Sequence, residues 1–334
     1  MTPRPTKLSI AKEFRLKYGM EMPTAKLARI MYEECPAAFT NIEHARTTLR
    51  KIEGKSGERA AKSVKDKSFF TNKNRPTQPY SLPKSDEESF ELFHIKGHKK
   101  GFIINDVHLP YHSIPALTAA IDFARKEKPD FIFLNGDIVD FHAVSFFQKD
   151  PRKARISEEL KVLQDFIAEL HKIFKGSKIY YKFGNHEERY DSFLYKKAHE
   201  LKGVEEFELE AIIQKRCPNV TIIRDKRIVV MNGLPFVHGH EMGRGVFNPV
   251  NAARGLFLQT KHSAVKGDCH TTSEHTEPNI FGKIMTTYSI GCLCGLTPKW
   301  LPINKWNHGF GMIDVSERNK YKLRNYRIYN GEVM

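Results

Sequence analysis

Beyond residue 93 the chain is punctuated by short apolar runs, GFIIND, DFIFLNGD, KIYYKFGN, NVTIIRD, RIVVMNG, LPFVHGH, SAVKGD and KIMTTYSIG, and no other feature limits its fold so sharply. Two long stretches, SIPALTAAIDFARKEK and ISEELKVLQDFIAELHKIFK, separate the early runs. In the second, Leu160, Leu163, Ile167, Leu170 and Phe174 recur at helical period. Strand, helix, strand, helix, strand in that order predicts parallel pairing with helices on the sheet faces. The later runs follow at closer spacing, which predicts a mixed, layered α/β architecture.

Five of the runs end in side chains able to ligate a metal. IINDVH supplies Asp106 and His108, two apart and therefore on one side of an extended chain. FLNGD supplies Asp137, KFGN supplies Asn185, FVHGH supplies His238, and AVKGDCH supplies Asp268 and His270. Ligands gathered at the carboxyl ends of strands lie where an open α/β sheet places its site. The tetrad Gly184-Asn185-His186-Glu187 is by itself ambiguous, because Gly-Asn is also ordinary turn chemistry. The ordered company of the other runs gives it weight. Mixed imidazole and carboxylate donors suit Mn, Fe or Zn, whereas an all-oxygen set suits Mg or Ca. Two such cations can lower the pKa of a water towards neutrality and clamp a phosphoryl group for in-line attack.

The series Asp106-Val107-His108, Gly136-Asp137-Ile138-Val139-Asp140, Gly184-Asn185-His186-Glu187, His238-Gly239 and Gly267-Asp268-Cys269-His270 resembles the calcineurin-like metallophosphoesterases over about residues 100–315. The resemblance implies a four-layered α/β sandwich with two divalent cations bridged by one carboxylate. It implies that Asp106, His108, Asp137 and His270 hold the first cation, that Asp137 bridges, and that Asn185, His238 and residue 268 complete the second. His186 would then be free to protonate the leaving oxygen, with Asp140 holding its ring, which fits the chemistry of an oriented imidazole.

The sequence departs from the family at two places. The last motif usually reads Gly-His-x-His, and here a carboxylate, Asp268, replaces the imidazole. Three aspartates rather than two then face the cations, which predicts a weaker Lewis acid and a lean towards Mn over Zn. If Asp268 is no ligand, His240 or His262 takes its place, or the second site is degenerate. Secondly, the protein serine/threonine phosphatases of this superfamily carry an Arg directly after the second Asp of Gly-Asp-x-x-Asp, whereas Phe141 and His142 follow Asp140 here. Arg189 and Arg244 are the candidate replacements, as guanidinium suits bidentate phosphate contact, against the plainer reading of surface or structural arginines.

Residues 1–57 read as three short helices, capped at Ser9, opening after Thr24, and starting from a Thr40–Glu43 capping box. The set resembles a helix-turn-helix whose last helix would present Arg46, Thr47, Arg50 and Lys51 to a groove; a small docking bundle with a solvated basic face is the alternative. Residues 1–75 carry 17 Lys/Arg against 8 Asp/Glu, which predicts a polyanionic partner such as nucleic acid. Residues 58–92, rich in Lys, Ser, Asn and Pro, read as a linker before a catalytic domain over 93–334. Trp300 and Trp306 are expected to pack the late strands, and Cys292 and Cys294 to be buried thiols in a tight turn. Five scattered cysteines, no apolar leader and no long apolar stretch predict a cytoplasmic protein away from membranes. The expected function is hydrolysis of a phosphodiester or terminal phosphate associated with nucleic acid. The rivals are a phosphomonoesterase acting on proteins or small molecules, and a catalytically weak DNA-binding protein.

Overall fold

All eight apolar runs form strands in the computed structural model, which describes residues 5–19, 22–57, 89–146, 155–243, 251–316 and 320–334. The chain divides into two units, residues 1–88 and 89–334. The expected linker, 58–92, lies outside the described residues up to residue 88.

In the first unit helices α1 (Lys7–Tyr18), α2 (Thr24–Glu34) and α3 (Ile42–Ile52) close over Phe14, Leu27, Met31, Phe39 and Leu49. Thr6 rather than Ser9 caps α1, its hydroxyl accepting from Ser9 N at 3.1 Å. Asn41 caps α3 by accepting from His44 N at 2.8 Å, so the helix starts one residue beyond the expected Thr40. A buried polar network ties the helices together. The Arg15 guanidinium pairs with Glu53, donates to Gly19 O at 2.7 Å and Met22 O at 2.8 Å, and meets Thr24 Oγ1 at 3.3 Å. Burial pushes the Glu53 carboxyl up, but Arg15, Lys55 and Thr24 outweigh it and hold it below its ordinary range. Either partner alone would be an uncompensated buried charge.

The second unit contains two mixed sheets. One runs β13-β12-β11-β2-β3-β4-β5 and the other β1-β6-β7-β8-β10-β9. In chain order the strands are β1 (Phe93–Ile95), β2 (Lys100–Ile104), β3 (Phe131–Asn135), β4 (Lys178–Lys182), β5 (Val220–Ile223), β6 (Val229–Met231), β7 (Leu234–Val237), β8 (Ala264–Lys266), β9 (Ser273–Pro278), β10 (Ile284–Ser289), β11 (His308–Val315), β12 (Tyr321–Tyr329) and β13 (Glu332–Val333). Helices α4 (Ile114–Glu127), α5 (Ile156–Ile173), α6 (Asn185–Lys197) and α7 (Leu209–Arg216) cover the first sheet, and α8 (Ala252–Thr260) lies on the second. β2 to β5 are parallel, as the strand-helix order predicts.

Alternation along the strands builds the layers. Phe102, Ile104, Ile132 and Leu134 point into the core under the helices, while Ile103, Phe131 and Phe133 point between the sheets to meet Leu234, Phe236 and Val265. Each fully buried large apolar side chain contributes about 1.5–3 kcal/mol. Because β2 and β3 are buried on both faces, their central residues, 102–104 and 131–134, are unbroken apolar runs. Among the described residues no helix is long and apolar enough to cross a membrane.

One buried carboxylate gives this unit a pH signature. Glu159, on α5, accepts from His142 N at 3.0 Å through one oxygen, and the other has no hydrogen-bond partner among the described residues. Burial pushes its pKa from 4.5 up to about 7. The folded state therefore holds this proton more tightly than the unfolded chain, so the stability gained is full below pH 4.5 and is lost as pH rises through 7. Glu159→Gln is expected to remove that slope and to be more stable than the parent at pH 8 by about 2 kcal/mol, read by urea melts across pH.

Candidate metal centre

The five ligand-bearing runs bring their ends together. β2, β3 and β4 are adjacent parallel strands of one sheet, and β7 and β8 are adjacent and parallel in the other. Just past their carboxyl ends lie Asp106 and His108, Asp137, Asn185, His238, and Asp268 and His270. His238 Nε2 is 3.2 Å from Asp137 Oδ2 and 4.0 Å from Asp106 Oδ1; His270 Nε2 is 3.3 Å from Asp106 Oδ1. His108 Nε2 lies 3.2 Å from His270 Nε2 and 4.0 Å from Asp137 Oδ2. Asp137 thus touches the imidazoles of both halves.

Backbone conformation at the strand ends turns these side chains inward. Asp106, His108, Asp137, Asp268 and His270 are five of the twelve non-glycine residues with positive φ among those described. Such conformations cost energy and persist where the surroundings enforce them. Gly184 lets α6 begin against the cluster, because a Cβ there would lie 2.6 Å from Asp137 N and 3.0 Å from His238 Nε2.

The donor atoms fit cations. Asp106 Oδ1, Asn185 Oδ1 and His238 Nε2 are buried without a hydrogen-bond partner among the described residues, a costly state for a polar atom unless something else satisfies it. His238 Nδ1 meets Asn135 O at 2.7 Å and His108 Nδ1 meets Asp140 Oδ1 at 3.1 Å, so each ring is oriented by one nitrogen and turns the other inward. Two trios, Asp106 with Asp137 and His238, and His108 with Asp137 and His186, each place one donor atom per residue within 4.8 Å of the others. A third adds Cys294 to His108 and His270. Burial works against a charged His270, yet Asp106 outweighs it and pushes the imidazole up to about 10. Burial likewise opposes ionisation of Asp137, but His186 and His238 hold its carboxyl well below the usual range. The carboxylates draw positive charge strongly, and divalent cations answer the same demand.

Asp268 sits at the rim. Its side chain is 38% exposed, with Oδ1 3.9 Å from His238 Nε2, and its amide donates to Asp106 Oδ2 at 2.9 Å. Of the alternatives to it, His240 meets Glu188 Oε1 at 3.0 Å through Nε2 while its Nδ1 is buried without a hydrogen-bond partner among the described residues, and His262 Nδ1 meets the Ser263 carbonyl at 2.9 Å. His186 packs edge-on to His108, with Nδ1 2.8 Å from Asp140 O and 3.2 Å from Asp140 Oδ1. Arg189 donates to Asp140 O at 3.0 Å and lies 2.7 Å from His186 Nε2, inside the site rather than on the free surface. Arg244 lies outside the described residues. Arg46, Thr47, Arg50 and Lys51 are exposed on α3 of the other unit, where Arg46 pairs with Glu43 and Thr47 donates to Glu43 O.

Several residues escape a reading by sequence. Glu187 is fully buried and accepts five hydrogen bonds: from Ile138 N (2.8 Å), Val139 N (3.3 Å) and Tyr181 Oη (2.6 Å) at one oxygen, and from Asp137 N (3.0 Å) and Gly184 N (2.7 Å) at the other. Its position three residues after Gly184 was the available signal, since a carboxylate there can cap the helix start. Buried Lys182 and Glu241 pair at 2.7 Å, and Glu241 accepts from His238 N and Gly239 N. Cys292 and Cys294 are buried, as expected, but Cys294 Sγ lies 3.8 Å from His270 Nδ1. The tryptophan expectation needs correction: Trp306 packs edge-on to His270 with centroids 4.2 Å apart, and Trp300 is 71% exposed. They lie beside the site, in the loop before β11.

A family model described as Calcineurin-like phosphoesterase matches residues 102–287, the stretch that carries all seven candidate ligands. No curated protein matches the sequence. Among solved structures the chain is similar to Vacuolar Protein Sorting 29 from Cryptosporidium parvum, at 14% identity and TM-score 0.38, covering 71% of this chain and 95% of that one. It is also similar to Yfce, a phosphoesterase from E. coli (15% identity, TM-score 0.34, covering 64% and 88%), and to a dimetal phosphatase from Danio rerio (11%, 0.36, covering 72% and 98%).

Proposed function

The chain belongs to the calcineurin-like phosphoesterase family and is a hydrolase of phosphoester bonds; from that premise we propose that it works through two divalent cations on a substrate associated with nucleic acid. Asp106, His108, Asp137 and His270 would hold one cation, and Asp137, Asn185, His238 and Asp268 the other. The observation that carries this assignment is that Asp106 Oδ1 and His238 Nε2, 4.0 Å apart, and Asn185 Oδ1 are all buried without a hydrogen-bond partner among the described residues. Cations held there would supply Lewis acidity, lowering the pKa of a water and offsetting charge on the phosphoryl group.

The protein's own groups do the rest. Asp140 fixes the ring of His186 through Nδ1, and Nε2, on the opposite side of the ring, meets Arg189 at 2.7 Å. Burial lowers the affinity of His186 for a proton, and the Asp140 carboxylate, 3.2 Å from Nδ1 and outside the proposed ligand sets, works the other way. That favours a ring able to give a proton to the leaving oxygen. The leaving oxygen would take the place now held at Nε2 by Arg189, and the displaced guanidinium nitrogen would turn to the phosphoryl oxygens. NH1, bound to Asp140 O, keeps the arginine in place.

The nucleic-acid part rests on the charge of residues 1–75 and the exposed face of α3. The thiols, all five free, suit a reducing compartment such as the cytoplasm. Elemental analysis after Mn loading is expected to give two cations per chain, and Asp268→Ala to lose one of them. Retention of both in Asp268→Ala would remove Asp268 from the ligand set. Turnover of aryl mono- and diesters with Mn, read beside DNA and RNA cleavage, tests the substrate: strong monoester preference without nucleic-acid cleavage would overturn that part.

A further inference from the structure

The loop between Cys294 and β11 reads GLTPKWLPINKWN, and it stands beside the metal centre. Trp306 lies against His270, and Trp300 lies against Trp306 with centroids 5.7 Å apart. An aromatic surface therefore starts at a candidate ligand and steps outward to a tryptophan that is 71% exposed. An exposed indole normally finds cover, because its apolar area is large.

The loop is held in place from within. Asn304 Nδ2 donates to Leu296 O at 2.7 Å and Leu301 O at 2.9 Å, while its Oδ1 accepts from Trp306 N at 2.9 Å. Asn307 N donates to His270 O at 2.9 Å, locking the loop's end to the ligand-bearing turn. Two tryptophans on a braced loop form a platform whose ordering cost is met before any ligand arrives. Lys299 and Lys305 flank them and are exposed. Aromatic faces interleaved with lysines are how proteins take single-stranded nucleic acid: the rings stack bases, and the ammonium groups meet phosphates.

We propose that Trp300 and Trp306 form a stacking subsite for a nucleobase on the ester being cleaved, with Lys299 and Lys305 receiving neighbouring phosphates. The inference rests on the phosphoesterase reading, which places the phosphoryl group beside His270. It narrows the substrate to nucleotide esters and assigns the selection to the catalytic unit itself.

Trp300 and Trp306 are the chain's two tryptophans, so fluorescence excited to the red of tyrosine absorption reports on these two rings. The Mn-loaded full chain is titrated with adenosine 5′-monophosphate and with ribose 5-phosphate, which differ by the base. Both are also tested as competitors in initial-rate assays with an aryl phosphate. Adenosine monophosphate is expected to quench the fluorescence and to compete about tenfold more tightly than ribose 5-phosphate. Trp300→Ala, at an exposed position, is expected to bring that ratio close to one, and Trp300→Phe to keep most of it. Equal competition by the two compounds in the parent, or an unchanged ratio in Trp300→Ala, would overturn the subsite. Competition by phenyl phosphate as tight as that of the nucleotide would overturn its assignment to a nucleobase. Loss of all turnover would strike the hydrolytic reading while leaving the fluorescence comparison to decide the platform.

Discussion

Replacing Glu187 by alanine is expected to destabilise the phosphoesterase unit by about 4 kcal/mol and to abolish stoichiometric cation binding, although Glu187 is not among the proposed ligands. Its carboxylate takes the amide protons of Asp137, Ile138 and Val139 after β3 and of Gly184 after β4, together with the Tyr181 hydroxyl. Those two turns carry Asp137 and Asn185. Without the carboxylate, five buried donors lose their acceptor at once, and each unsatisfied group costs about 1–3 kcal/mol before relaxation. The turns can recover hydrogen bonds only by moving or by admitting water, and either displaces the ligands. Tyr181→Phe removes one of the five donors and is expected to cost about 1 kcal/mol. Urea denaturation and elemental analysis read both effects. An alanine variant that melts like the parent and keeps both cations would show that the strand ends are held by something other than this residue.

The metal centre and the scaffold under it were legible to different depths. β2 and β3 could be read because burial on both faces leaves no room for polar residues. β9, with sequence SEHTEP and mostly exposed, carries no such signal, and β12 interleaves Lys322, Arg324 and Arg327 with its apolar residues. The candidate ligands stood out because chemistry gathers where strands end, and the family resemblance supplied the roles proposed for them. The supporting shell was silent because its bonds join distant positions: Glu187 to Ile138, Glu241 to Lys182, Trp306 to His270. Composition says nothing of such pairs. Trp300 shows the converse error, since a tryptophan beside strands is ordinarily buried, and here it stands in the open.

His186→Gln should separate proton transfer from cation binding. The proposed ligand sets leave His186 out, so the variant is expected to keep both cations. Its turnover should fall by about 10²–10⁴-fold on esters with an alkyl leaving group, which needs a proton as the bond breaks. On p-nitrophenyl esters the loss should be far smaller, because that leaving oxygen is stable as an anion. A structural role would act otherwise. His186 packs against His108 and its amide donates to Asp137 Oδ1 at 2.9 Å, so a disturbed ring could shift two ligands and slow every substrate alike. The backbone bond survives a change to glutamine, whereas proline would remove its donor. Arg189→Lys supplies the second axis. It weakens the planar contact proposed for the phosphoryl oxygens but leaves the proton donor in place, so its loss should be uniform across leaving groups. A loss in His186→Gln that is equally uniform would assign the imidazole to positioning and leave the leaving oxygen to be protonated by water.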